Sequence, residues 1–199
     1  MLENTENIGR MFIKKNGNKI KILNITTIKI DMGLSIYAVS KIKLVGNIID
    51  DEPAENDINV YQGTFDRISG LEVGIYRETG ESVNHDFHAG SYSTYNWFRR
   101  NLSTAIFGVS SENIWLNSES YKGRPFYELI EFSDCDGIIG PDVSEKLHQD
   151  FETHRSNMVK YCLDNFINDD DSYEYTMNLY DNFTKAFKIA KEHGAVQFC

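Results

Sequence analysis

The chain has 199 residues, enough for one domain with a buried core and no need of a disulfide or metal staple. Apolar residues make up 41 % of it and aromatics 13 %, which excludes disorder as its general description. With 30 acidic residues against 20 basic ones the formal net charge is −10, so the mean field repels phosphate backbones and anionic headgroups, and direct binding to nucleic acid or membrane is set aside.

Residues 11–31, "MFIKKNGNKIKILNITTIKID", are rich in β-branched side chains, and Asn16-Gly17 supplies the turn of a basic hairpin. A third strand is predicted in "GLSIYAVSKIKLVG", where imperfect alternation points to burial on both faces. "NIIDDEPAENDIN" reads as an exposed acidic loop. "VYQGTFDRI" and "LEVGIYRETGESVNHDF" return to strand composition, with Gly80-Glu81 as the turn between two antiparallel strands.

From Ser91 the period changes. Tyr95, Phe98, Leu102 and Ile106 recur at helical spacing, and Gly108 is placed to end the helix. Pro125 and Pro141 each stand where a first helical turn tolerates proline. After Pro141 one face carries Val143, Leu147, Phe151, Met158, Tyr161 and Cys162. A last helix follows "NDDDS" and buries Tyr175, Leu179, Phe183, Ala186, Phe187 and Ala190; Gly194 is a candidate C′ residue, and "AVQFC" reads as a short closing strand. The predicted fold is α+β: a mainly antiparallel sheet from the N-terminal half, with three to four helices from the C-terminal half packed on one face.

Chemistry-bearing residues are densest in "HDFHAGSYSTYNWFRR", residues 85–100. On a strand His85 and Phe87 share one face, Asp86 and His88 the other, so the two histidines diverge. The hydroxyls read as helix-entry residues. The first amides of the helix, with Arg99 or Arg100, are a candidate anion site. A second dense stretch, "FSDCDGIIGPD", carries Asp134 and Asp136. It lacks the ligands of a calcium loop and reads as a turn between helices, although two such carboxylates are able to hold magnesium with a phosphate substrate. Cys135, Cys162 and Cys199 are too dispersed for a disulfide framework or a zinc knuckle, which points to the cytosol, and no cofactor or metal is expected. His154 falls on the apolar stripe of its helix and reads as a core histidine. The acidic runs Asp50, Asp51, Glu52 and Asp169, Asp170, Asp171 are solvated loops open to a basic partner. No apolar export signal or bilayer-spanning segment is read in the chain.

The run "MGLSIY" from Met32 resembles the opening of uncharacterised phage, prophage and bacterial proteins that begin Met-Gly-Leu, then Asp or Ser, Ile or Met, and Tyr. "PFYELIEFSDCDGIIGPDVSEKL" and "YDNFTKAFKIAKEHGAVQF" are similar to proteins of the same kind. The resemblance attaches no activity, implies a mobile-element or accessory role, and sets residues 1–31 apart as a hairpin extension ahead of a single domain, 32–199. The expected function is that of a non-enzymatic acidic binding protein of a phage or mobile element. It would act on a host or competitor protein as an anti-defence inhibitor or immunity protein, or would sequester a small molecule. Asp50, Asp51, Glu52, Trp97, Arg99, Arg100, Asp169, Asp170 and Asp171 are its candidate contacts. The alternative is an enzyme acting on a phosphate-containing small molecule, with or without a metal ion, through His85, Asp86, His88, Asp134 and Asp136.

Overall fold

A computed structural model describes residues 33–48, 54, 56–61, 67–132 and 137–199. The expected hairpin at 1–31, the acidic run Asp50, Asp51 and Glu52, and the turn carrying Asp134 and Asp136 lie outside the described residues.

The described chain is α+β. A four-stranded antiparallel sheet has the order β5-β1-β7-β6, with β1 at Ser35–Val39, β5 at Asn84–His88, β6 at Gly137–Ile139 and β7 at Ala195–Phe198. Strand β1 is buried on both faces, as its broken alternation implies. Ile36 and Ala38 join one apolar cluster, while Val39 joins another with Tyr37 packed against it. The first cluster lies under three long helices: α1 (Tyr92–Phe107), α5 (Pro141–Asn165) and α6 (Asp170–Ala190). Its centre is Phe183, whose ring lies 5.1 Å from Phe87, 5.4 Å from Phe98, 6.0 Å from Tyr95 and 6.3 Å from Phe198. One side chain thereby joins α6 to α1 and two strands, and truncating such a residue to Ala typically costs about 3–5 kcal/mol.

The second cluster packs the opposite face of β1, β6 and β7 against a three-stranded sheet of order β2-β4-β3. Here β2 is Lys43–Gly46, β3 is Ile58–Val60 and β4 is Gly74–Arg77. This second sheet corrects two expectations. The single strand expected over "GLSIYAVSKIKLVG" is two, β1 and β2, broken at Lys41, whose φ is 52°. The strands flanking Gly80-Glu81 are not paired with each other: β4 pairs with β2 and β3, and β5 with β1. The β1–β2 and β4–β5 segments thus cross from one sheet to the other at the same place. The crossing is stitched by Ser40 N–H to Val83 O (2.9 Å) and by the Thr79 and Ser82 hydroxyls donating to Lys41 O (3.0 and 3.2 Å). Periodicity could not show it, because the pleat on either side of the bend keeps its period of two.

Ser91 caps α1 by accepting from Thr94 N, and Gly108 ends it at φ 70°. Pro141 stands in the first turn of α5, and Asp169 caps α6 by accepting from Ser172 N. The helix expected from Pro125 shrinks to one turn, α4 (Tyr127–Ile130), preceded by Phe126 at φ 58°. Two further short helices, α2 (Ser111–Leu116) and α3 (Ser118–Tyr121), bridge α1 and α4. Gly194 does not take a positive φ; His193 does, at 51°. Gly194 is needed instead because a Cβ there would collide with the Val39 carbonyl. That close approach seats β7 in the middle of the sheet, between β1 and β6.

Candidate protein-interaction face

Strand β5 leads into α1 through Ala89 and Gly90, and α6 runs beside both. His85 Nε2 lies 3.0 Å from Asn182 Oδ1, and about two turns back along α6 the Tyr175 hydroxyl donates to Ala89 O (3.2 Å). As β5 advances, its neighbours on α6 therefore move toward the N-terminal end of that helix. Trp97, on α1, lies 6.5 Å from Tyr175 and stacks on Phe166 at 5.7 Å. Phe166 is the C-cap of α5, and its carbonyl accepts from Asp169 N–H (3.0 Å). A continuous path joins β5, Trp97 and the acidic cap of α6.

The turn from α5 to α6 is the most exposed part of this path. Leu163 and Ile167 are 60 % and 70 % exposed. Asn168 carries the reversal at φ 66°. Asp164, Asp169, Asp170 and Asp171 are exposed around them. Asp164 is ion-paired with Lys160 at 3.2 Å, whereas none of the other three has an ion pair among the described residues. The Asp169 carboxyl is held below its usual range by its hydrogen bonds to Ser172, so it remains charged well into the acid range. Two exposed apolar side chains with carboxylates beside them in the chain suit a partner that offers an apolar recess with a basic rim.

Other candidate residues lie elsewhere. Arg99 is corrected from a surface contact to a core residue: it is 4 % exposed. Its guanidinium donates to the Ile130 and Phe132 carbonyls and to Asn96 Oδ1, between the rings of Tyr95 and Trp115. Arg100 is exposed but ion-paired with Glu112, whose carboxyl that arginine lowers to about 2. Neither arginine reaches back to the start of α1, where the Ser91 hydroxyl is already engaged by Thr94 N, Ser93 and Thr94 Oγ1. The anion site expected there is not assembled. His154 is only partly buried and lies 5.8 Å from the Phe126 ring.

The histidines diverge as their alternation requires. His85 faces α6 beside Phe87 at 5.5 Å, and its proton affinity is lowered by burial and by Lys185. His88 pairs across from Ser35 on the other face, its ring packed against Gly33. The strand that follows Asp134 and Asp136 is β6, at the opposite sheet edge from β5, three strand spacings or about 14 Å away. Sequence reasoning missed Leu163, Phe166 and Ile167: Phe166 continues the spacing of Cys162, Leu163 lies just off the apolar face of α5, and Ile167 falls in the turn beyond it. Their signal was position alone, just ahead of the "NDDDS" turn.

No family model, curated protein or solved structure matches the chain. Among the described residues no helix is long and apolar enough to cross a membrane.

Proposed function

We propose that the protein is a binding protein of a phage or other mobile element that docks on a host or competitor protein through the α5–α6 turn. The observation that carries the reading is the exposed Leu163 and Ile167 pair set among Asp164, Asp169, Asp170 and Asp171. The apolar pair supplies area that gains by leaving water. The carboxylates steer a basic partner and discriminate against acidic ones. Trp97 and Phe166 stack beneath the turn and hold it in one shape, so little ordering cost falls on docking. The mobile-element origin rests on the resemblance from Met32.

The test compares the parent with Ile167→Ala and with Asp170→Asn/Asp171→Asn. Each is used to capture proteins from host lysate, and the protein retained by the parent is then purified and its association measured across a salt series. Charge steering predicts an on-rate that falls as salt rises, and a slower on-rate with a shallower salt slope for the Asn variant. Loss of apolar contact predicts faster dissociation for Ile167→Ala. A captured protein whose rates are unchanged by either variant would place recognition away from this turn and refute the reading.

A further inference from the structure

Strand β5 is an edge of the four-stranded sheet, and its only strand neighbour among the described residues is β1. The phase of the ladder follows from its ends. Leu34 exchanges bonds with Gly90 O and Ala89 N (2.8 Å each), and Ser40 N–H reaches Val83 O (2.9 Å). The even-numbered residues of β1 therefore bond toward β5, while Ser35 bonds the other way, to Cys199 (2.9 Å). Ile36 is opposite Phe87 and Ala38 opposite His85, so the peptide groups of His85 and Phe87 face β1. By alternation those of Asn84 and Asp86 face away from the sheet, and no described residue takes them up.

A second observation concerns the side chains on that edge. Asp86 is exposed and lies opposite Tyr37, whose hydroxyl donates to the Glu78 carboxylate and accepts from Asn84 Nδ2 at 3.3 Å. Neither Glu78 nor Asp86 is ion-paired among the described residues. Both are near enough to the phenol that, after burial, they help push its pKa up to about 12. Open backbone groups and two uncompensated carboxylates stand at one strand edge.

We propose that the β5 edge takes up an extended segment of the partner as an added antiparallel strand, with a Lys or Arg of that segment opposite Asp86 and beside Glu78. The inference rests on the protein-binding reading and adds its mode: main-chain bonds supply affinity and alternate side chains supply selectivity. A second copy of the chain is the wrong occupant. The two-fold antiparallel register that pairs all five residues of β5 sets Asp86 against Asp86, and like charges directly opposite destabilise a strand pair.

The probe is a seven-residue peptide of alternating Val and Lys, capped at both ends, added to the full-length protein and followed by amide hydrogen exchange. In an antiparallel bonded pair the residue opposite Asp86 turns its own peptide group toward β5 and its side chain to the Asp86 face. Methylating the Lys nitrogens should therefore abolish binding, and methylating the Val nitrogens should leave it. In the free protein the Asn84 and Asp86 amides should exchange at least about tenfold faster than those of His85 and Phe87. Saturating peptide should slow them about tenfold, and Glu78→Gln/Asp86→Asn should weaken peptide binding at least about fivefold. The proposal is overturned if Asn84 and Asp86 are already as protected as their neighbours, if the peptide gives them no protection, or if Lys-methylated peptide binds as well as the parent. No partner is needed for this experiment, so its failure leaves the α5–α6 turn untouched. Failure at that turn likewise leaves the exchange result standing.

Discussion

Replacing Arg99 by Met tests whether this residue belongs to the core or to a recognition surface. Its guanidinium is buried between Tyr95 and Trp115 and serves the carbonyls of Ile130 and Phe132. Met fills much of the same volume and keeps a favourable contact with the rings, but it donates no hydrogen bond. Two carbonyls are left buried without their donor at about 1–3 kcal/mol each. Part of that loss is offset because a charge no longer has to be held out of water. The expected net destabilisation is about 3 kcal/mol, which at a urea m-value of about 2 kcal/mol/M moves the midpoint down by about 1.5 M. Helical circular dichroism in a urea titration reads it directly, and Arg100→Met, which removes only an exposed pair with Glu112, should shift stability by no more than about 0.5 kcal/mol. If Arg99→Met were as stable as Arg100→Met, the guanidinium would not be holding the Ile130 and Phe132 carbonyls in place, and its assignment to the core would be wrong.

At the head of α6, Asp169→Ala should lower the urea midpoint because the cap to Ser172 is lost. Asp169→Asn keeps a capping oxygen and should keep the midpoint while slowing association with a basic partner; an on-rate unchanged in the Asn variant would confine Asp169 to capping. His85 and His148 are both held below the ordinary imidazole value, by burial first and then by Lys185 and Lys191 respectively. Their neutral forms are favoured in the fold, so their contribution is complete above the unfolded value of about 6.5 and is lost as pH falls through the depressed folded values. Urea midpoints should therefore begin to fall below about pH 6.5, and His85→Gln/His148→Gln should flatten that slope; an identical slope in the double variant would count against it.

The three long helices, α1, α5 and α6, were legible because each carries its own punctuation. Ser91, Gly108, Pro141 and Asp169 all act where the residue types require. The second sheet was not legible, since what separates β1 from β2 is one positive φ at Lys41 and a set of hydroxyl bonds from residues about 40 positions away. Strand β6 was hidden for a related reason. Three residues, Gly137–Ile139, are too few to show a period, and they become a strand only because β7 arrives from the far end of the chain to pair with them. Arg99 was misplaced because helical spacing sets it at the border of the apolar face. Its burial depends on the carbonyls of Ile130 and Phe132, 31 to 33 residues further on.

The polar density of residues 85–100 meets two structural demands. An edge strand must carry polar and charged side chains to discourage indiscriminate pairing, which is the place of Asp86 and His88. A helix start draws on Ser, Thr and Asn to satisfy its free amides, which is the place of Ser91 and Thr94. Set end to end, these two demands call for the same residue types that acid–base chemistry uses. Spacing cannot tell them apart; orientation does, since alternation sends His85 and His88 to opposite faces. On the proposed reading, the part of this stretch that meets a partner is largely its backbone, at Asn84 and Asp86. Backbone recognition leaves almost no mark in residue identity, and the marks it does leave here are the carboxylates of Glu78 and Asp86, neither of them ion-paired among the described residues.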